Sequence, residues 1–467
     1  MKYKMTAGFE THVELKTESK IFCSCSTEFG APANTHCCPV CMGLPGVMPS
    51  LNKKVVEYGV KAGLALNCKI NTISFMDRKN YSYPDLPKAY QITQYDTPLC
   101  YDGFVELSSG KRIGINRIHI EEDAGKLIHK DEEILIDYNR AGVPLIEIVS
   151  EPHINSVDEA KEYVEKLRLI MRYIGVSDCK MQEGSMRCDV NISVSESDTL
   201  GTRTEIKNMN SINFIAKAME YECKRQIEAL ETGQKIVQET LGFDEKTKQT
   251  YSMRSKEDAD DYRYFREPDL TAIHISNEDV EKIREGLPEL PHHKSYRYVK
   301  TMNLEQKDAE LISKYPKVAE FFEKSALGVK SPKRVADFIT GVIFAHLKSE
   351  TLKEKFDLNI SPESLKKLVN LIDEGKLNVN KAKSTLEKML ESGKSPEELL
   401  STQDLAEVSS SELSDLCLKA IDENEKIVTD YKNGKDKAIM ALVGFVMRES
   451  KGRADPGKAK EKLIELL

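Results

Sequence analysis

Along the first part of the chain, apolar and polar positions alternate with a period of two. This is the pattern of strands with one buried and one open face. In Phe9-Glu10-Thr11-His12-Val13-Glu14-Leu15 the alternation places Glu10, His12 and Glu14 together on one face. Asp189 and Asn191 share a face of the strand predicted over 187–193, with Val190 and Ile192 on the other. Further strands are predicted over 203–207, 118–123 and 145–149. In these, Glu205 lies between Arg203 and Lys207, Glu122 follows Ile118 and Ile120, and Glu147 sits inside Leu145-Ile146-Glu147-Ile148-Val149.

Two helical patterns interrupt the strands. One opens on Ser156-Val157-Asp158-Glu159, a capping box, and carries Ala160, Val164, Leu167, Met171 and Ile174 before Gly175. The other follows Asn213, carries Ile215, Met219, Ile227 and Leu230, and stops at Gly233. After Leu287-Pro288-Glu289-Leu290-Pro291 strand signals fade and helix formers dominate, with a second break in the Ser-rich stretch 392–411. The expected fold is therefore α+β over 1–290, an all-helical domain over 291–403, and a small helical tail over 404–467.

Composition adjusts this picture in three ways. The 467 residues carry a formal net charge of −8, so nucleic acid could be attracted only by local basic surfaces. No apolar run is long enough for a membrane span, and the N-terminus lacks a signal-peptide core, so a cytoplasmic protein is expected. Five of the 11 cysteines fall between Cys23 and Cys41.

Cys23-Ser24-Cys25 and Cys38-Pro39-Val40-Cys41 fit a closed four-thiolate site for structural Zn²⁺. Spacing alone does not choose between Cys37 and Cys38, although Cys38-x-x-Cys41 is the usual knuckle. Glu147 is the most telling acid, because a carboxylate within an apolar run needs compensation. A hard cation such as Mg²⁺ supplies it, and several such strands would line a site for Mg²⁺ and a nucleotide. No P-loop signature is present.

Longer motifs carry a resemblance. They run from Phe9–Leu15 through Arg78–Gln91, Glu122-Asp123-Ala124-Gly125-Lys126, Asn139-Arg140, Pro144–Pro152, Glu183–Asp189 and Glu205–Asn208 to Asp261-Tyr262-Arg263-Tyr264-Phe265. In order and over the whole length, the chain resembles the B-subunit family of glutamine-dependent aspartyl/glutamyl-tRNA amidotransferases. One departure is Arg266, where the family pattern has proline.

The resemblance implies a cradle of the glutamine synthetase/guanido kinase type. It also implies ATP-dependent phosphorylation of the side-chain carboxylate of Glu-tRNA(Gln) or Asp-tRNA(Asn). Ammonia, released from glutamine by an A subunit and channelled to the cradle, then gives Gln-tRNA(Gln) or Asn-tRNA(Asn), with a small C subunit bracing the pair. By position it implies His12, Glu122 and Glu147 as ligands of one Mg²⁺ and Glu10, Asp189 and Glu205 as those of a second metal. Lys79, Tyr81, Tyr83, Asp85 and Lys88 are read as lining the ammonia path or holding the aminoacylated tRNA end, or else as fixing a rigid Pro-containing loop. The basic tail (Lys432, Lys435, Lys437, Arg448, Lys451, Arg453, Lys458, Lys460, Lys462) is expected to meet the tRNA body. Two rival readings are a ligase aminating free glutamate and a non-catalytic zinc-bearing RNA-binding protein.

Overall fold

A computed structural model of the chain describes residues 2–130, 133–255, 262–401, 410–450 and 454–467. Asp261, Lys451, Arg453 and the expected boundary at 403/404 lie outside the described residues. Contacts divide the chain into Met1–Leu290 and Pro291–Leu467.

The first unit is α+β, built on a nine-stranded sheet. Its strands in chain order are β1 (Lys4–Glu14), β2 (Lys69–Ile70), β3 (Cys100–Glu106), β4 (Arg112–Glu122) and β5 (Pro144–Ser150). They continue with β6 (Met186–Ser195), β7 (Thr204–Lys207), β8 (Glu239–Asp244) and β9 (Gln249–Ser255). The spatial order is β9-β8-β7-β6-β1-β5-β4-β3-β2. All neighbours are antiparallel except β7 and β8.

Period-two patterning decides the two faces. Phe9, Thr11 and Val13 of β1, Ile118 and Ile120 of β4, Ile146 and Ile148 of β5, and Val190 and Ile192 of β6 are all buried. This apolar side packs with helices α1 (Lys53–Ala65), α2 (Val157–Tyr173) and α3 (Ile212–Glu231) into one core. The opposite face carries the acids and histidines.

Helix α2 starts as its capping box predicts, with Ser156 accepting from the Glu159 amide. Helix α3 begins one residue before Asn213, because Ser211 caps it by accepting from the Phe214 amide. Its buried stripe runs through Glu222 and Gln226, whereas Ile227 and Leu230 are only half-buried. Gln226 accepts from the Val194 amide and donates to Thr204 Oγ1, which itself donates to Glu222, so these polar groups tie α3 to the ends of β6 and β7.

The second unit is helical throughout its described residues, with two separate apolar clusters. The larger gathers Tyr298, Phe322, Phe338, Leu368 and Leu386. The smaller gathers Ile439, Leu442, Val443 and Val446 with Cys417 and Leu463. No helix among the described residues is long and apolar enough to cross a membrane.

Candidate metal site

The strand register assembles the polar face. His12 on β1 lies opposite Glu147 on β5, which lies opposite His119 on β4. On the other side of β1, Glu10 lies opposite Asp189 and His12 opposite Arg187 on β6, and Asn191 lies opposite Glu205 on β7. Residues directly opposite in a ladder point the same way, so acids far apart in the chain meet on one surface.

They form two groups whose donor atoms lie within 4.8 Å of one another: Glu10, Asp189 and Glu205, and His12, Glu121 and Glu147. In the second, His12 Nε2 is 3.4 Å from Glu121 and 3.5 Å from Glu147. His119 Nε2 approaches the same carboxylates, at 3.2 Å from Glu147 and 3.7 Å from Glu121. In the first, Lys207 ion-pairs with Asp189 and, at 3.2 Å, with Glu205. Asn191 donates to Glu10 at 2.9 Å and Thr240 to Glu205 at 2.9 Å.

Glu122 stands apart from the other expected ligands. It shares parity with the buried Ile118 and Ile120, so its side chain leaves the polar face. There it pairs with Lys88 and accepts from the Ile92 amide at 2.9 Å. Glu121, one residue earlier, holds the place beside His12 and Glu147. The sequence signal for Glu121 and His119 is this same alternation with Ile118 and Ile120. Glu121→Gln is accordingly expected to weaken divalent-ion binding by about 10-fold or more, and Glu122→Gln to alter it far less. Calorimetric titration of both variants measures the difference.

The electrostatics fit a cation. Burial alone would lower the His12 pKa, but the charge and hydrogen bond of Glu147, with Glu121, raise it to about 9. Burial would raise Glu147, yet His119 and His12 hold it well below the carboxylate range. Burial pushes Glu10 up, helped by Glu147 and Glu205. A surplus of buried acid beside two imidazoles is what a divalent ion would relieve.

The raised His12 pKa gives a pH dependence. The protonated pair's contribution to folding is complete below about 6.5 and is lost as pH rises through about 9. A bound ion must displace that proton, so ion affinity should climb over the same interval. Calorimetry in buffers of different ionisation enthalpy reads the released proton directly.

The remaining expected residues are dispersed around this face. Lys79 lies over the rings of Tyr262 (4.5 Å) and Tyr81 (5.7 Å). Tyr81 meets Tyr262 edge-on, Tyr262 meets Tyr264, and Tyr264 stacks on Tyr95 at 4.2 Å. Tyr83 is exposed. The Asp85 carbonyl accepts from the Gly125 amide, and the Tyr138 hydroxyl donates to the Pro84 carbonyl, so this Pro-containing segment is pinned to the 122–138 region. Lys88 and Glu122 help to line a cavity of about 200 Å³ that extends to Cys23 and Cys41. Arg266, the departure from the pattern, stacks its guanidinium 3.5 Å from the Phe75 ring centroid.

Cys23, Cys25, Cys38 and Cys41 bring their sulfurs within 4.8 Å of one another. The Cys38 amide donates to Cys41 Sγ at 3.1 Å, the turn that a thiolate knuckle needs. Cys37 turns instead toward Asn139 Oδ1, 3.9 Å away. A hydrogen bond from Cys23 brings the Cys41 pKa down to about 4, and the same bond pushes Cys23 up. Lys20 is fully buried beside them, with Nζ 2.7 Å from the His36 carbonyl and 3.7 Å from Cys41 Sγ. Four sulfurs, an N–H···S bond and a buried cation suit a closed tetrahedral site.

Residues 5–281 match the family model described as the GatB/GatE catalytic domain, and residues 320–467 match the GatB domain. The chain is 53% identical to the aspartyl/glutamyl-tRNA(Asn/Gln) amidotransferase B subunit of Thermoanaerobacter pseudethanolicus, covering 100% of both chains. It is 52% identical to the B subunit of Caldanaerobacter subterraneus subsp. tengcongensis, again over 100% of both. With that of Clostridium botulinum it shares 48% identity, covering 98% of this chain and 97% of the other.

Proposed function

The chain belongs to the family of B subunits of aspartyl/glutamyl-tRNA(Asn/Gln) amidotransferases, glutamine-dependent ligases of several subunits, and on that premise we propose that its acidic sheet face activates the side-chain carboxylate of a misacylated tRNA. The observation carrying this reading is the register that gathers Glu10, His12, Glu147, Asp189 and Glu205, with Glu121, onto one face.

The substrates are Glu-tRNA(Gln), Asp-tRNA(Asn) or both. A carboxylate is a poor electrophile. One of its oxygens attacks the γ-phosphorus of ATP, the bond to the β-phosphate oxygen breaks, and ADP leaves. Ammonia then attacks the acyl carbon, phosphate departs with the bonding electrons, and the surplus proton passes to solvent. Mg²⁺ held by the two carboxylate groups would neutralise and align the transferring phosphoryl group. The chain's own part is to orient those carboxylates: His119 and His12 fix Glu147, Lys207 and Asn191 fix Asp189 and Glu10, and Thr240 fixes Glu205.

The sheet is read as a cradle of the glutamine synthetase/guanido kinase type. Its partners are an A subunit that releases ammonia from glutamine and a small C subunit, with the Lys88–Glu122 cavity on the ammonia path. Structural Zn²⁺ would be held by Cys23, Cys25, Cys38 and Cys41.

The complex with A and C partners, ATP, Mg²⁺ and glutamine should form amide on mischarged tRNA and none on free glutamate. Amide on free glutamate would favour a ligase of the free amino acid, and no amide at all a binding protein.

The tail is read as the tRNA-body contact. Lys432, Lys437, Arg448, Lys458 and Lys460 are exposed, whereas Lys435 and Lys462 are paired with Asp430 and Glu465. Removing residues from 404 onward should weaken tRNA binding about 10-fold or more at moderate salt and reduce its salt dependence. The melting of the first unit should be unchanged. Equal tRNA affinity after truncation would remove the tail from the interface.

A further inference from the structure

Arg117 occupies the polar face of β4, two residues before His119 and therefore on its side of the sheet. Its Cα lies opposite Val149, the residue two beyond Glu147 on β5. The side chain is half-buried, and its Nε is buried with no hydrogen-bond partner. No hydrogen bond or ion pair joins it to any described residue.

The arginines around it differ. Arg112, on the same strand, pairs with Glu106 at 3.0 Å. Arg187, across the face, pairs with Asp123 at 2.7 Å. Arg78 holds Glu267 through two nitrogens at 2.7 and 2.9 Å. Arg117 is left without an acceptor among the described residues, while Glu121 and Glu147 on the same face meet His12 and His119. Val149 lies between Arg117 and Glu10 in the register, one row from His12, Glu147 and His119, so cation and carboxylates share one face of the sheet.

A guanidinium is always charged, presents its donors as a planar fork, and binds phosphate oxygens in pairs. An unpaired one beside a cation-binding acid cluster is placed to take the anion that such a cluster recruits. We propose that Arg117 is a catalytic residue that grips the γ-phosphoryl oxygens of ATP on the same face as the Glu121 and Glu147 carboxylates and holds them as the phosphoryl group moves to the substrate carboxylate. This rests on the phosphoryl-transfer reading above. It adds the donor that balances the equatorial oxygens, to which the acids of the face have nothing to donate. No further reactant enters. The phosphorus–oxygen bond to ADP breaks and that to the carboxylate forms, with Arg117 keeping its proton throughout.

The test uses the assembled complex with mischarged tRNA, glutamine, Mg²⁺ and ATP. Arg117→Ala should lower kcat for amide formation about 100-fold or more. It should weaken ATP binding more than ADP binding. Guanidinium ion added to Arg117→Ala should restore part of the rate, which a merely structural role would not allow. Arg117→Lys should retain more activity than Arg117→Ala, and Arg112→Ala should behave as the unaltered protein. Arg117→Ala activity within about threefold of the unaltered protein would overturn the proposal. So would a defect confined to KM for the aminoacyl-tRNA, since Arg117 would then hold the substrate carboxylate. A lack of ATP-dependent amide formation by the unaltered complex is a separate result and would defeat the phosphoryl-transfer reading itself.

Discussion

Glu147→Gln should lower amide formation by the assembled complex about 100-fold or more, with little change in KM for the tRNA. The carboxylate is the shared acceptor of two imidazoles, 3.5 Å from His12 and 3.2 Å from His119, and it completes the donor group with Glu121. An amide of the same shape keeps the packing and removes the charge. Divalent-ion affinity should fall with activity, because the group then offers one anionic oxygen donor where it had two. His12 gives an independent readout. Its pKa of about 9 is sustained mainly by Glu147 against a burial effect that acts downward. In the variant it should fall, which imidazole proton resonances would follow. Because the imidazoles can shed their protons, the folding cost should remain below the roughly 3–5 kcal/mol of a stranded buried charge. Full activity in Glu147→Gln would remove this residue from the proposed phosphoryl-transfer site.

The parts of this site differ in how far the sequence discloses them. Alternation along β1 is local, so the shared face of Glu10, His12 and Glu14 is readable from seven residues. The partnership of β1 with β5 and β6 is not local. Residues 10 and 189, or 12 and 147, are joined by pairings whose register no short-range pattern encodes, and the grouping of the acids comes from resemblance. The adjacent pair Glu121-Glu122 shows two signals in conflict. Motif position favours Glu122, whereas parity with Ile118 and Ile120 assigns it to the opposite side and Glu121 to the face. Arg117 and His119 follow from the same parity but belong to residue types that ordinarily lie on solvated faces, so nothing local distinguishes them. Only the absence of an acceptor, in one case, and contact with Glu147, in the other, does so. Helical periodicity misplaces the buried stripe of α3 at Ile227 and Leu230. A helix that satisfies strand ends needs Glu222 and Gln226 inward, and a hydrophobic pattern cannot register that need. In the tail the stripe Ile439, Leu442, Val443 and Val446 is readable, because its helix buries an apolar face in the ordinary way.

The thiol cluster gives the other large expected effect. Cys41→Ser should abolish binding of one metal ion per chain, whereas Cys37→Ser should retain it. The two differ in where they point: Cys41 lies among Cys23, Cys25 and Cys38, and Cys37 faces Asn139. Co²⁺ loaded in place of the proposed Zn²⁺ would give intense thiolate absorption that counts the sulfurs. It should persist in Cys37→Ser and vanish or change in Cys41→Ser. The residues involved form little regular structure between β1 and α1, and few apolar side chains there are buried. A metal cross-link would add to the hydrogen bonds that tie Asn34 and His36 to residues 136–139, so a metal-free variant should be cleaved by protease within 23–46 much sooner than elsewhere in the first unit. Lys20 extends the same logic. With no exposure, it would offset the negative charge of four metal-bound thiolates, and it anchors the loop to the His36 and Tyr138 carbonyls. Lys20→Met, which keeps the stem and removes the charge, should lower metal affinity about 10-fold or more while leaving the sulfur count unchanged. Because this cluster lies off the acidic face, loss of the metal should lower the temperature of unfolding and the yield of complex more than the kcat of whatever complex still assembles. A Cys41→Ser protein that kept its metal with four sulfur ligands would mean that Cys37 binds after all.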